Sequence, residues 1–352
     1  MLNQKTTIIT DDNISVQATS PVIISASRST DIPAFYCDWF FNRFKRGYSV
    51  WVNPFNNQKS YISYENVRFI VFWSKNPKKL IDYADFLKER NINCYIQYTL
   101  NDYEAECLEP NIHDNIDVRI DTFKRLVDVF GENHVIWRFD PLILTDEITV
   151  DNLINKIDSL AKRLYGYTDK LVFSFCDIAH YPKVKNNLEH YKVNYSEWSS
   201  SEMCDFAQKL SVLNKKYHFK LATCAEKIDL SEYGILHNHC IDDEQIVRIA
   251  YNDNVLMDYL GIEIKTKQVT LFDDYVLPEN AIDINDKLYA IRTKSNRDSG
   301  QRQLCGCITS KDIGQYNTCI HGCKYCYANT NNDIALTNYN RHIYNLKCES
   351  IV

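Results

Sequence analysis

The sequence predicts an α/β fold of the TIM-like (β/α) barrel type with a cysteine-rich C-terminal segment. Two observations carry that expectation. Short, nearly continuous apolar runs alternate with amphipathic stretches of helical length, the order that gives a parallel sheet with right-handed crossovers. Polar and charged residues gather where successive runs end, and in a parallel barrel those ends share one face, where catalytic groups collect.

In chain order the expected strands are Val22–Ala26, Ser49–Val52, Phe69–Trp73, Cys94–Thr99, Val135–Arg138, Leu171–Phe175 and Phe219–Thr223. Apolar runs such as Phe69–Trp73 suit parallel strands covered on both faces. Between them, Asn115–Val129 and Val150–Leu164 repeat apolar residues near helical spacing. The strand ends carry Ser27-Arg28-Ser29-Thr30-Asp31, Asn53-Pro54-Phe55-Asn56, Ser74-Lys75-Asn76-Pro77, Thr99-Leu100-Asn101, Arg138-Phe139-Asp140-Pro141, Cys176-Asp177 and Cys224-Ala225-Glu226. Any one of these suits an ordinary polar loop. Seven in succession point to a shared site, although seven units are one short of an eight-stranded barrel. The chain divides into a polar extension (1–20), a barrel body (21–242), a less periodic connecting region (243–300) and a cysteine-bearing segment (301–352). In the last two, Asn296–Arg302 reads as an exposed turn and the Asn-rich stretch 329–340 as loop.

Composition narrows the function classes. The 352-residue chain is 45% hydrophobic and 24% charged, ordinary for a soluble globular protein. Its formal charge of −6 gives no support to a broad nucleic-acid footprint, although a local basic cleft stays open. No apolar run approaches the roughly 18 residues of a membrane span. The polar start shows no secretion signal, so a cytoplasmic location without membrane contact is expected. Thirteen cysteines in such a chain point to metal or redox chemistry rather than disulfides. Cys37, Cys94, Cys107, Cys176, Cys204 and Cys348 are scattered and read as buried small hydrophobes or inert thiols.

The sharpest motif is Cys319-Ile320-His321-Gly322-Cys323-Lys324-Tyr325-Cys326-Tyr327-Ala328-Asn329. Three thiolates at this spacing can wrap one iron-sulfur cube and leave its fourth iron open, and Gly322 lets the backbone turn beside a metal. Structural zinc is the plainer alternative, pairing Cys323 and Cys326 with Cys305 and Cys307 and leaving Cys319 idle.

This loop resembles the signature of the radical S-adenosylmethionine enzymes, in the form seen in relatives of spore photoproduct lyase. The resemblance implies that Cys319, Cys323 and Cys326 hold a 4Fe-4S cluster whose open iron chelates the amino and carboxylate groups of S-adenosylmethionine. Reductive cleavage would then give methionine and a 5′-deoxyadenosyl radical that abstracts hydrogen from an unknown substrate. Tyr325, Tyr327 and Asn329 would lie against the cofactor, and an electron donor such as flavodoxin or ferredoxin would be the partner. Such enzymes carry the signature after the first barrel strand. A circular permutation would reconcile the orders, with Asp312–Thr318 as strand one and Val22–Ala26 as strand two. Over nearly the whole chain, the runs Ser25–Tyr36, Asn53–Asn56, Val71–Pro77, Thr99–Tyr103, Leu108–Pro110, Trp137–Pro141 and Asp312–Cys319 are similar to domain-of-unknown-function family 1848, a likeness that implies relatives but no reaction.

Four further cysteines have suggestive contexts: Cys224 after a strand, Cys240 beside His239, and Cys305-Gly306-Cys307. Together they would satisfy a second 4Fe-4S cluster or a closed zinc site, with His237 and His239 as substitute ligands; singly, Cys224 and Cys240 suit buried thiols. Arg28, Lys75 and Arg138 are candidates for binding a carboxylate, including that of the cofactor. Asp31, Asp140, Asp177 and Glu226 could hold an ammonium, ribose hydroxyls or substrate, and Gln97 and Asn101 suit neutral hydrogen bonding. Arg138 and Asp140 could equally brace the loop by pairing. Two other functions stay open: a non-radical iron-sulfur protein using its open iron as a Lewis acid, and a zinc-stapled barrel that binds a ligand.

Overall fold

The computed structural model describes residues 4–54, 56–224, 226–267, 276–300, 305–345 and 347–352. Phe55, Ala225, Gln301 and Arg302, named above, lie outside the described residues. Eight parallel strands form the central sheet: β1 (Ile23–Ala26), β2 (Phe69–Ser74), β3 (Asn93–Thr99), β4 (Val135–Leu142), β5 (Lys170–Phe175), β6 (Lys220–Thr223), β7 (Ile235–His237) and β8 (Lys311–Asp312). Their spatial order is β8-β1-β2-β3-β4-β5-β6-β7, and every neighbouring pair is parallel. The strands thus follow the chain except for β8, which returns from the far C-terminal end to lie beside β1, with Lys311 opposite Ile24 and Asp312 opposite Ser25. Among the described residues, β7 and β8 have no recorded pairing with each other.

Six of the seven expected strands lie in this sheet. The seventh, Ser49–Val52, belongs instead to a four-stranded sheet with Gln4–Ile9, Ser15–Ser20 and Lys59–Ser63. The reason is connection length: Tyr48–Val52 turns back antiparallel onto Lys59–Ser63, and so short a link cannot make a parallel crossover. The strand the sequence hides is β7, whose three residues include two exposed ones and no apolar run. The segment 243–300 holds the helices Asp243–Ala250 and Asn254–Leu260 and a small antiparallel sheet of Ile262–Thr266, Leu288–Arg292 and Ile282–Asp283. The Asn-rich tail is largely a helix, Asn332–Ile343, because the Asn331 side chain caps it by accepting from the Ile334 amide.

Period-two alternation splits the sheet into two buried faces. Ile24, Ile70, Phe72, Ile96, Tyr98, Trp137, Phe139, Leu171 and Phe173 pack on one face in the larger core. The helices Cys37–Arg46, Ile116–Phe130, Val150–Leu164 and Ser200–Asn214 contribute their apolar stripes to that same core. Ile23, Phe69, Val71, Tyr95, Ile136 and Val172 point to the other face, where Ile246, Val247, Leu256, Met257 and Leu260 cover them. Each fully buried side chain of this kind is worth about 1.5–3 kcal/mol, so this half of the face is core. Continuing along the same face toward the carboxyl ends, the alternation delivers Ser25, Trp73, Gln97, Arg138, Ser174 and Cys224. The apolar layer therefore gives way to a polar one, and the site begins there.

Candidate functional site

The cysteine loop follows β8 and wraps the same carboxyl end of the sheet. Gly322 takes a left-handed φ of 71°, and the Cys326 amide donates to the Cys323 carbonyl at 3.1 Å, closing the loop tightly. The three thiols are in electrostatic contact with one another. Burial raises the Cys319 thiol to about 12, against the backbone N–H groups of His321 and Asp31, which favour its thiolate. Burial also raises Cys323 and Cys326, with Lys75 opposing in both. Asn329 ties the loop ends together: its amide donates to Cys326 Sγ at 3.3 Å and its Nδ2 to the Cys319 carbonyl at 2.6 Å.

Two buried polar assemblies hold this loop against the strands. In the first, Asp31 accepts from His321 Nε2 at 2.6 Å, Ser74 Oγ at 2.6 Å and the amides of Lys75 at 2.8 Å and Ala34 at 3.0 Å. Burial would raise the Asp31 carboxyl, but His321, Ser74 and Lys75 hold it below the usual range. The second assembly centres on Glu109. Lys75 Nζ pairs with it at 2.6 Å, Asn101 Nδ2 donates at 3.1 Å, Tyr325 donates its hydroxyl, and Arg119 stands 3.9 Å away. Burial pushes the Glu109 carboxyl up, yet Lys75, Arg119 and the Tyr325 hydrogen bond bring it down to about 2. Lys75 also donates to the Tyr325 hydroxyl at 3.1 Å, and its ammonium is strengthened by Glu109 despite burial.

Along the polar strand ends, Arg28 and Arg138 flank Trp73, with guanidinium carbons 5.5 Å and 5.2 Å from its ring. Arg138 pairs with Asp140, whose carboxylate also accepts from Ser174, and donates to Gln97 Oε1 at 3.3 Å and Cys240 Sγ at 3.4 Å. Asp312 accepts from Ser25 Oγ at 2.8 Å and the Arg28 amide at 3.0 Å, while Ser25 accepts from Trp73 Nε1 at 3.1 Å. Burial opposes both arginine charges, and Asp312 and Asp140 respectively more than restore them. Asn101 links the two regions, since its Nδ2 reaches the Tyr325 hydroxyl at 3.1 Å and the Asp140 carbonyl at 3.2 Å.

The remaining sequence candidates divide. Gln97 is buried and donates to the Cys240 carbonyl at 2.8 Å. Glu226 accepts from the Phe175 amide at 2.9 Å. Tyr327 donates its hydroxyl to the Arg28 carbonyl and stays half-exposed. Asp177 faces solvent and holds the turn to His180 at 2.7 Å, whereas the preceding Cys176 stays buried in the core. Lys75 and Arg138, expected to bind a carboxylate of the cofactor, already hold carboxylates of this chain. Cys224 and Cys240 meet at 3.1 Å, Cys240 hydrogen-bonds Cys307, and Cys307 hydrogen-bonds Cys305, so the four form a row. His237 is exposed at the end of β7. His239 packs over Gly306, where an added Cβ would meet its Nε2 at 2.1 Å.

Sequence reasoning missed Glu109, His321, Trp73, Ser174 and Asp312 as site groups. Glu109 sits in the long link between β3 and β4, where no periodicity marks it. His321 could have been found from its place between two cysteines.

Fold and site together define an α/β protein whose parallel sheet carries a thiol- and cation-rich site at its carboxyl ends. The chain belongs to the family described as Domain of unknown function (DUF1848), which matches residues 23–328, from β1 through the cysteine loop. No curated protein and no solved structure matches it. Among the described residues, no helix is long and apolar enough to cross a membrane.

Proposed function

We propose that this protein is an iron-sulfur enzyme of the radical S-adenosylmethionine kind, built on a circularly permuted (β/α) barrel. The observation that carries the reading is β8. Lys311 and Asp312 pair in parallel with β1, and the chain then runs through residues 313–318 into the Cys319–Cys326 loop over the ends of the neighbouring strands. In this reading β8 would serve as the first strand of the unpermuted order and β1 as the second.

The donor set suits a cluster. Three buried or half-buried thiols share one loop, backbone amides point at Cys319 and Cys326, and His321 Nδ1 and Asn329 Oδ1 are buried without a hydrogen-bond partner beside them. Cys319, Cys323 and Cys326 would hold the 4Fe-4S cluster. When bound, such a cluster supplies the electron that cleaves S-adenosylmethionine to methionine and a 5′-deoxyadenosyl radical. The chain's own residues provide rigidity and charge. Asp31 fixes His321, the Glu109 assembly fixes Tyr325, and half-buried Arg28 and buried Arg138 present cations near Trp73. A carboxylate-bearing substrate or cofactor would bind there by sharing Arg138 with Asp140 and Arg28 with Asp312. A flavodoxin or ferredoxin would be the electron donor.

The test is anaerobic incubation of reconstituted protein with S-adenosylmethionine and dithionite. Formation of 5′-deoxyadenosine, lost in Cys323→Ala, is the expected result. A brown protein that never yields it would favour Lewis-acid use of the open iron, and a colourless zinc protein would overturn both.

A further inference from the structure

The row Cys224, Cys240, Cys307, Cys305 takes no part in the cluster reading above. It lies at the ends of β6 and β7, and the segment after residue 304 is pinned against it. The Ile308 amide donates to the Ile241 carbonyl at 3.0 Å, and the Asp298 amide to the Cys307 carbonyl at 2.9 Å. The Cys240 carbonyl is held in turn by Tyr95 and Gln97, each at 2.8 Å. Three chain segments are thus locked together, with their sulfurs in contact pair by pair along the row.

Inert thiols would not need what surrounds them. Three N–H donors aim at the sulfurs: Asn238 Nδ2 at 3.2 Å and Arg138 Nη1 at 3.4 Å on Cys240, and the Ile241 amide at 3.4 Å on Cys307. A neutral thiol is a weak acceptor, whereas a thiolate draws such donors. Arg28 adds a second guanidinium facing Cys240 and Cys307. Four thiolates on a dipositive centre leave a net charge of about −2, and buried Arg138 and half-buried Arg28 face it while also standing beside Asp140 and Asp312. The 3.1 Å separation of Cys224 and Cys240 is too long for a disulfide bond, about 2.05 Å. It is also shorter than the roughly 3.8 Å between sulfurs that share a tetrahedral metal at 2.3 Å. Among the described residues no three of these sulfurs lie mutually within 4.8 Å, so the row would have to close into a cage as the metal binds.

We propose that Cys224, Cys240, Cys305 and Cys307 form a second, fully ligated four-thiolate centre for a thiophilic metal, one that closes the C-terminal segment onto β6 and β7 and anchors Arg138 and Arg28 beside Trp73. The centre has no open position, so its part is structural and electrostatic. It stands independently of the Cys319–Cys326 cluster. Zinc and a 4Fe-4S cluster share this donor chemistry and differ in colour and metal count.

The experiment uses the full chain, purified and reconstituted without oxygen, with metals counted by mass spectrometry and absorption spectra recorded. Cys323→Ala removes the first loop's cluster, so any metal it keeps reports the row. One zinc without colour, or about four irons with a brown chromophore, is the expected result, and adding Cys240→Ala should abolish it. A folded Cys323→Ala protein with neither metal overturns the proposal. So does a Cys224–Cys240 disulfide found by mass spectrometry in protein isolated without oxygen. Should Cys323→Ala be insoluble, Cys305→Ser in the otherwise unchanged chain decides: metal per chain falls by the row's share, or it does not and the proposal fails. A wild-type protein whose only metal depends on Cys240 would support this centre while removing the radical reading.

Discussion

The Asp31 carboxylate and the His321 imidazole meet at 2.6 Å across 290 positions of sequence. Because that carboxylate also takes hydrogen bonds from Ser74, Lys75 and Ala34, one side chain ties β1, the end of β2 and the cysteine loop together. Replacing it with alanine strands four donors in a buried place. Asp31→Ala should lower unfolding stability by about 3–5 kcal/mol and reduce iron retained per chain, both measured on anaerobic protein by urea titration and metal count. A loss below about 1 kcal/mol would show that the loop is held by other means.

Glu109 sets the acid sensitivity. Its folded pKa of about 2 lies below the ordinary value of 4.5, so its contribution to stability is full above pH 5 and is lost as pH falls from about 4.5 toward 2. A shift of that size corresponds to roughly 3 kcal/mol. The unfolding midpoint should therefore drop steeply over that range. In Glu109→Gln the slope should flatten, while stability at pH 7 falls because Lys75 and Arg119 lose their buried counter-ion. Thermal melts at closely spaced pH values read both effects.

How much of this was legible follows from what each signal depends on. Phe69–Ser74 and Val135–Leu142 were visible as strands because apolar runs need only local sequence. Ser49–Val52 misled because an apolar β run does not say which sheet it joins; the hairpin to Lys59–Ser63 decided that. A C-terminal strand beside Val22–Ala26 was expected over Asp312–Thr318; the strand is Lys311–Asp312, so only Asp312 of that stretch pairs, and residues 313–318 leave the sheet toward the cysteine loop. The partners of Lys75 and Arg138 were not readable. Arg138 and Asp140 lie close enough in sequence to suggest pairing, but Lys75 meets Glu109 through tertiary packing alone.

Tyr325 is expected to matter through its hydroxyl more than its ring. That oxygen joins Glu109, Lys75 and Asn101, yet the Lys75–Glu109 pair at 2.6 Å does not need it. Tyr325→Phe should cost about 1–3 kcal/mol and leave the acid profile of Glu109 recognisable. Denaturant titration at pH 7 and pH 3.5 separates this from Glu109→Gln, which changes both values and the slope between them.

At Gly314 the returning C-terminal segment packs against the turn that follows β1. A Cβ built there would lie 1.7 Å from Ser27 Oγ, 2.6 Å from Ser27 Cβ and 2.7 Å from Ser29 Oγ. The glycine carbonyl accepts from Trp51 Nε1 at 2.9 Å, so the backbone cannot retreat without breaking a second contact. Ser27 is not free either, since it accepts from the Ser29 amide at 3.1 Å. Gly314→Ala should therefore lift β8 away from β1. Strand β1, all four residues of which are buried, would then become an open sheet edge, the kind that recruits other chains. The expected outcome is concentration-dependent association in sedimentation and new protease cleavage in the segment after residue 304. Because the obstruction is chiefly the Ser27 side chain, adding Ser27→Gly should recover part of the loss, a non-additive pair of the sort that contacting residues give. Equal association in the single and double variants would mean that β8 is not seated through this contact.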